Sequence, residues 1–269
     1  VAKLRRGDTL KSAALGKPVT RTLHSIYFDT PDQDLAKRGM ALRLRKAGNR
    51  WIQTFKCGGS SESGLHQRQE FDTPVAVQFL DLYALMQTPA AELLRDPDFR
   101  ERLAPAFVTR FRRTTWNVEI HPGETAELAL DQGEVIAGTT STPISEVEIE
   151  LIEGDPVHLF DFAKRLLADV PLRLGNVSKA ERGYALLTPS APAPVRAAPV
   201  ELANEQAVVA SFAAVATACL RQLDANERGL LDSDDTEYVH QARVALRRLR
   251  SAVGAFRPVA PRETMGPLL

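Results

Sequence analysis

A chain of 269 residues, 44% hydrophobic and 25% charged, has an ordinary globular composition and is long enough for one and a half to two domains. That excludes a disordered chain, a collagen and a disulfide-rich mini-fold. Thirty-four Lys+Arg balance thirty-four Asp+Glu, so a general attraction to nucleic acid or to an acidic membrane has no support.

Short runs of alternating or β-branched residues predict strands at Leu23–Phe28, Ala41–Lys46, Trp51–Lys56, Leu65–Asp72, Val108–Ile120, Ala126–Asp131, Glu134–Ala137 and Ile144–Ile152. Turn residues separate them, among them Ala47-Gly48-Asn49, His121-Pro122-Gly123 and Asp131-Gln132-Gly133. Consecutive hairpins make an antiparallel sheet, and a closed or nearly closed barrel would remove its edges. Helical patterns fall at Val77–Gln87 and at Pro156–Asp169, the latter with Pro156 in its first turn behind Asp155 as cap. A Pro/Ala-rich stretch at 188–200 reads as a semi-rigid linker. Beyond it, Glu201–Asp224 and Thr236–Phe256 are helical, the second with Val239, Ala242, Leu246, Leu249 and Val253 on one stripe. Two helices bury little by themselves, so 201–269 reads as the first part of a larger all-α bundle. The absence of an initiating Met adds the expectation that both ends are cut. No signal peptide is evident, and the uncharged run Ala207–Leu220 suits a buried helix better than a bilayer span. Cys57 and Cys219 lack metal spacing, as expected of reduced thiols in a cytoplasmic chain without membrane partners.

The zero net charge hides a segregation. Between Val1 and Lys56, thirteen Lys/Arg face four acids, whereas Glu119–Asp155 carries ten acids and no Lys or Arg. In Glu146-Val-Glu-Ile-Glu150 the alternation of a strand puts Glu146, Glu148 and Glu150 on one face. Neighbouring carboxylates there stand about 7 Å apart and repel by about 2 kcal/mol at an effective dielectric of 20. A hard divalent cation, Mg²⁺ or Mn²⁺, is a suitable counter-charge. Arg43 and Arg45 likewise share a face, Lys56 ends the next strand, and Arg110, Arg112 and Arg113 cluster on a long one. Such charged faces meet either bulk solvent or a polar lumen; a lumen with one basic and one acidic wall would suit a polyanion–metal complex. No P-loop, nucleophile elbow or zinc-spaced histidine set is present. On the last helix His240, Arg243, Arg247 and Arg250 fall on one narrow face with no acid among them, which is either a solvated basic face or a polyanion contact.

The motifs His24-Ser-Ile-Tyr-Phe-Asp-Thr-Pro31, Gly39-Met-Ala-Leu-Arg-Leu-Arg45, Trp51-Ile-Gln-Thr-Phe-Lys56, Ala129-Leu-Asp-Gln-Gly133, Glu146-Val-Glu-Ile-Glu150 and Ser178-Lys-Ala-Glu-Arg-Gly-Tyr184 together resemble a CYTH domain, of the triphosphate tunnel metalloenzymes, over residues 1–187. His240 to Arg250 resembles the opening of a CHAD domain. The resemblance implies an α+β fold, an antiparallel eight-stranded β-barrel tunnel with flanking helices, followed by helices of an all-α bundle. It implies metal-dependent hydrolysis of inorganic triphosphate to diphosphate and orthophosphate with Mg²⁺ or Mn²⁺. Carried over, Arg43, Arg45, Lys56, Arg110, Arg113 and Lys179 are expected to bind phosphate and Glu146, Glu148 and Glu150 to bind metal. Glu70, Asp131 and Lys56 take the catalytic positions, and His240, Arg243, Arg247 and Arg250 are expected to hold polyphosphate. The family's opening strand carries an E-x-E-x-K motif, which nothing before Leu23 supplies; truncation is the expected reason, a binding variant without the strand is the alternative, and the activity of this stretch of chain stays open. The alternatives are a polyphosphate-binding module that does not hydrolyse and, below it, adenylate cyclase or nucleoside triphosphatase chemistry in the same tunnel.

Overall fold

The computed structural model describes residues 2–62, 65–188 and 193–258. The chain forms two compact units, Val1–Pro189 and Ser190–Leu269.

In the first unit, α1 (Ala2–Arg6) and α2 (Asp8–Ala13) precede β1 (Val19–Asp29), β2 (Ala41–Ala47), β3 (Arg50–Glu62) and β4 (Leu65–Val75). Three short helices, α3 (Leu82–Leu85), α4 (Ala91–Leu94) and α5 (Pro97–Arg102), lead to β5 (Ala104–His121), β6 (Glu124–Ala137) and β7 (Thr140–Glu153). The helices α6 (Pro156–Asp169) and α7 (Lys179–Leu187) close the unit. All strand pairings are antiparallel, in the order β4-β3-β2-β1-β5-β6-β7.

The sheet corrects the expected barrel in two respects. Among the described residues it has seven strands, not eight, and it curls as an open half-barrel with β4 and β7 as its edges. The strand count differs because Asp131-Gln132-Gly133 is no turn: β6 runs straight through it, with Gly133 opposite Phe111. A Cβ at Gly133 would collide with the Arg110 carbonyl and with Phe111, so the glycine serves close strand approach rather than chain reversal. The helix expected over Val77–Gln87 contracts to Leu82–Leu85, capped by Asp81, whose side chain accepts from Ala84 N at 2.9 Å.

Alternation sorts the side chains onto two faces. On the outer face, Trp116, Val118, Ile120, Leu128 and Leu130 pack under α1, α2 and α6 through Leu4, Leu10, Phe162 and Leu166. The outer face of β1–β3 packs Ile26, Phe28, Leu42, Leu44 and Phe55 against Leu85, Leu94 and Phe99 of α3–α5. The inner face is polar except at its floor, where Leu23, Tyr27, Phe107, Phe111, Val135 and Ile144 cluster with Ala180 of α7. This helix starts from a capping box between Ser178 and Glu181, and the same Glu181 meets Arg68 of β4 at 3.7 Å. The helix therefore packs on β5–β7 and is tied to β4, across the inner side of the open sheet.

In the second unit α8 (Val208–Asp232) packs along α9 (Thr236–Phe256). The buried stripe of α9 differs from the expected one: Tyr238, Gln241, Ala242, Ala245, Ala252 and Val253 face inward, while Val239 and Leu246 lie exposed. Tyr238 takes that place because Gly229 of α8 leaves room for its ring. By length and apolarity α8 could cross a membrane, yet its buried positions include polar side chains. Asn226 holds both backbone groups of Val195 at 2.9 Å, and Gln222 donates to Gln241 Oε1 at 2.9 Å.

Candidate active site

The inner face divides into a basic and an acidic wall. On the basic wall Arg43 and Arg45 alternate with Leu42 and Leu44 of β2, whose apolar side is locked into the outer core, so the guanidiniums have only the inner side to occupy. Tyr27 stands opposite Arg43 and Ser25 opposite Arg45; the Arg45 Nε donates to Ser25 Oγ at 3.0 Å. Lys56 of β3 lies in the next register position and pairs with Glu70 of β4 across the strands.

These cations are poorly compensated. Among the described residues neither Arg43 nor Arg45 has a carboxylate at ion-pairing distance, and the buried Arg43 Nε has no hydrogen-bond partner. Burial, then the repulsion of Arg43, pushes Arg45 down to about 10. Lys56 is lowered for the same two reasons, with Glu70 only partly offsetting them. Burial alone would raise the Tyr27 phenol, but the surrounding Arg43, Arg45 and Lys179 bring it below its ordinary value. Each shift is what an excess of positive charge in a half-desolvated space produces.

The acidic wall is the reverse case, because its carboxylates are already met. One register row runs Arg113–Asp131–Glu146 across β5, β6 and β7. Asp131 is fully buried and takes both prongs of Arg113, Nε to Oδ1 and Nη2 to Oδ2, each at 2.7 Å. Lys179, the first residue of α7, lowers its ammonium among three acids, 2.7 Å from both Asp131 Oδ2 and Glu148 Oε1 and also bonded to Glu146. Arg182, one helical turn on, pairs with the other oxygen of Glu146. Burial works against charge on Lys179 and Arg113, but the carboxylates more than reverse it, and both are raised. Burial likewise opposes ionisation of Glu148, yet Lys179 and Arg113 hold its carboxyl well below the usual range. Phe111 forms the floor, with Lys179, Arg113 and Arg45 at 5.1, 5.7 and 5.8 Å from its ring centroid, within cation–π range.

Of the residues expected from sequence, the inner face brings together Arg43, Arg45, Lys56, Glu70, Arg113, Asp131, Glu146, Glu148 and Lys179. Glu150 shares that face but pairs in register with Glu127, beyond the cluster. The triad whose oxygens converge is Asp131, Glu146 and Glu148, all within 4.8 Å of one another. Arg110 does not join. Three positions from Arg113, it lies exposed on the outer face, with its Nε 3.4 Å from His24 Nδ1, so strand alternation removes it from the phosphate set. Asp131 is enclosed by Arg113 and Lys179 and bonds both. Sequence reasoning missed Tyr27, Ser25 and Arg182. The last was legible, since Lys179 and Arg182 stand at i and i+3 in a helix opened by a capping box. In the second unit His240, Arg243, Arg247 and Arg250 line one open cleft with Val244 and Leu246, and all four are exposed.

The donor set fits an oxygen-preferring ion. Three carboxylates with no histidine or cysteine among them suit Mg²⁺ or Mn²⁺, and Lys179 Nζ now stands between them.

Comparison with known proteins gives a CYTH domain over residues 3–184 and a CHAD domain over residues 214–269. The inorganic triphosphatase of Haemophilus influenzae is 39% identical over 171 residues, which cover 61% of this chain and 46% of that protein. The chain thus spans about half the length of this curated relative. Among solved structures, the Hippeastrum protein HpAC1, with a dominant triphosphatase activity, has a TM-score of 0.48 at 18% identity, covering 68% of this chain and 90% of its own. A protein from Pyrococcus horikoshii OT3 has a TM-score of 0.43 at 18% identity, covering 68% and 92%.

Proposed function

This chain belongs to the CYTH domain family, and on that premise we propose that its inner face binds inorganic triphosphate and, with a divalent cation, hydrolyses it to diphosphate and orthophosphate. The observation that carries the reading is the uncompensated basic wall. Arg43 with an unpartnered Nε, Arg45 pushed down to about 10 and a lowered Lys56 would all be relieved by one polyanion. Guanidinium forks on β2 grip the phosphate oxygens, and Lys56, oriented by Glu70, reaches the same chain of phosphates. Glu146 and Glu148, with Asp131 behind them, are the residues that would hold Mg²⁺ or Mn²⁺. When bound, the ion supplies charge neutralisation at the phosphate oxygens. Water attacks the terminal phosphorus, the P–O bond to the bridging oxygen breaks, and diphosphate leaves. The negative charge that spreads over the equatorial oxygens meets Arg45, Arg43 and Lys56, already in place.

A second reading rests on Lys179. Its ammonium, with Arg113 and Arg182, already neutralises the acidic triad, an arrangement that grips a polyanion on the opposite wall without hydrolysing it. Titration of tripolyphosphate and assay of orthophosphate release, with and without Mg²⁺ or Mn²⁺, separate the two. Hydrogen bonds to charged groups contribute about 1.5–3 kcal/mol each, so Arg45→Ala is expected to weaken tripolyphosphate binding roughly 10- to 150-fold. Arg110→Ala leaves it unchanged. Metal-dependent release that Arg45→Ala and Lys56→Ala abolish supports hydrolysis; binding without release supports the second reading. Tripolyphosphate affinity equal in wild type and Arg45→Ala refutes both.

A further inference from the structure

A second cluster of ligand-type side chains lies away from the inner face, where β5, β6 and α6 meet. His121 ends β5, Glu124 opens β6 after the tight His121-Pro122-Gly123 turn, and His158 sits in the first turn of α6. His158 Nδ1 is 2.7 Å from Glu124 Oε2 and His121 Nδ1 is 3.9 Å from Glu124 Oε1, so each carboxylate oxygen faces one imidazole nitrogen. The two imidazole rings stack with centroids 4.1 Å apart and planes 3° from parallel, and one ligand atom from each residue lies within 4.8 Å of the others. His121 is eight residues along β5 from Arg113, roughly 26 Å of strand, which separates this cluster from the acidic triad.

Three further features hold these side chains together. A register shift between Glu119 and His121 interrupts the alternation of β5, and the His121 ring meets His158 of α6. The Asp155 backbone N–H donates to Glu124 Oε2 at 3.2 Å, fixing the carboxylate from behind. Gly154, at φ 128°, leaves the space that Glu124 fills, since a Cβ there would collide with the carboxylate. The nearby cations are otherwise engaged: Lys164 pairs with Asp161 at 3.2 Å, and Arg165 donates to the Ile120 carbonyl at 2.7 Å.

We propose that His121, Glu124 and His158 form a binding site for a borderline transition-metal ion of the Zn²⁺ class, clamping the β5–β6 hairpin to α6. Two imidazoles and one carboxylate are a Zn²⁺ donor set, and they leave one position open for water. Ligand atoms about 2.0–2.2 Å from a tetrahedral ion stand roughly 3.4 Å from one another. The ligand atoms lie within 4.8 Å of one another, and closing them to that spacing requires one of the two stacked imidazoles to rotate until its nitrogen aims at the ion. The cluster faces a cleft bordered by Asp8, Ser12, Glu119 and Asp161, which gives an entry path. This differs in ligand chemistry from the inner triad, whose all-carboxylate donors favour Mg²⁺ or Mn²⁺.

The test is Zn²⁺ binding by equilibrium dialysis and calorimetry on the untagged chain in phosphate-free buffer, with Co²⁺ absorption as a probe of coordination. A Glu146→Gln/Glu148→Gln variant is expected to keep one tight Zn²⁺ and its tetrahedral Co²⁺ bands. His121→Ala/His158→Ala loses that ion, and Glu124→Gln, which preserves size and the acceptor for Asp155 N–H, binds it at least about tenfold more weakly. Zn²⁺ is also expected to raise the Tm of wild type and not that of the histidine variant. Equal Zn²⁺ stoichiometry and affinity in wild type and Glu124→Gln overturns the proposal, as does loss of the tight ion in Glu146→Gln/Glu148→Gln. Because Glu124→Gln carries the test alone, misfolding of the double-histidine variant does not rescue a failed result.

Discussion

Replacing Asp131 by Ala tests the acidic wall at its most buried point. Asp131 has no exposed surface, receives two Arg113 hydrogen bonds at 2.7 Å and lies 2.7 Å from Lys179 Nζ. Its removal leaves the buried Lys179 and the half-buried Arg113 sharing Glu148 and Glu146, and breaking a buried pair from one side costs about 3–5 kcal/mol. In a unit the size of Val1–Pro189 each kcal/mol moves Tm by about 2–4 °C, so the expected fall is roughly 6–20 °C. The assay is thermal and urea denaturation at pH 7 followed by circular dichroism, with Glu150→Ala as control, since Glu150 is exposed and is expected to cost about 0.5 kcal/mol or less. A cycle with Arg113→Met extends the test: with the guanidinium removed as well, the double variant should recover at least about 1 kcal/mol relative to additivity. A loss below about 1 kcal/mol for Asp131→Ala, or strict additivity in the cycle, would refute the view that Asp131 organises the wall.

The same wall sets a pH dependence. Lys179 and Arg113 hold Glu148 below its ordinary 4.5, so its contribution to stability is complete above about pH 4.5 and disappears as pH falls through the lower folded-state value. Glu148→Gln should flatten that acid limb in denaturation measured from pH 6 to pH 2; an unchanged limb would remove Glu148 from the account. In the helical unit the exposed His240, Arg243, Arg247 and Arg250 line one cleft, and Arg247→Ala/Arg250→Ala in the full chain should weaken long-chain polyphosphate binding and lower its salt dependence. Affinity and salt slope equal to wild type would make that face a solvated one.

How much of this was legible in the sequence depended on whether the deciding force was local. The period-two runs located every strand, because a residue's face in a strand follows from its parity alone. Arg43 and Arg45 opposite Leu42 and Leu44, and Glu146 and Glu148 opposite Val147 and Ile149, could face only one way once the apolar partners entered the outer cores. Asp155 before Pro156 specified the start of α6 through a cap hydrogen bond of 2.9 Å. Parity would also have removed Arg110 from the site, had it been applied to β5 as it was to β2.

Other features depended on contacts between residues far apart in sequence. Gly133 reads as a turn residue, yet its role follows from Phe111 and Arg110 on the adjacent strand, twenty-odd positions away. The three helical turns α3–α5 form against the outer face of β1–β3, a surface that local propensity does not contain. Lys179 is a surface-type residue by composition and is buried because α7 carries it over the half-barrel onto Asp131, Glu146 and Glu148. The meeting of His121, Glu124 and His158 likewise needed a bulge at the end of β5 and a helix thirty-odd residues on. Sequence by itself determined which residue types each strand offers to which face, because backbone alternation is a property of the single strand. Only the tertiary structure decided which charges meet, because Coulomb energy depends on distances that chain separation does not fix.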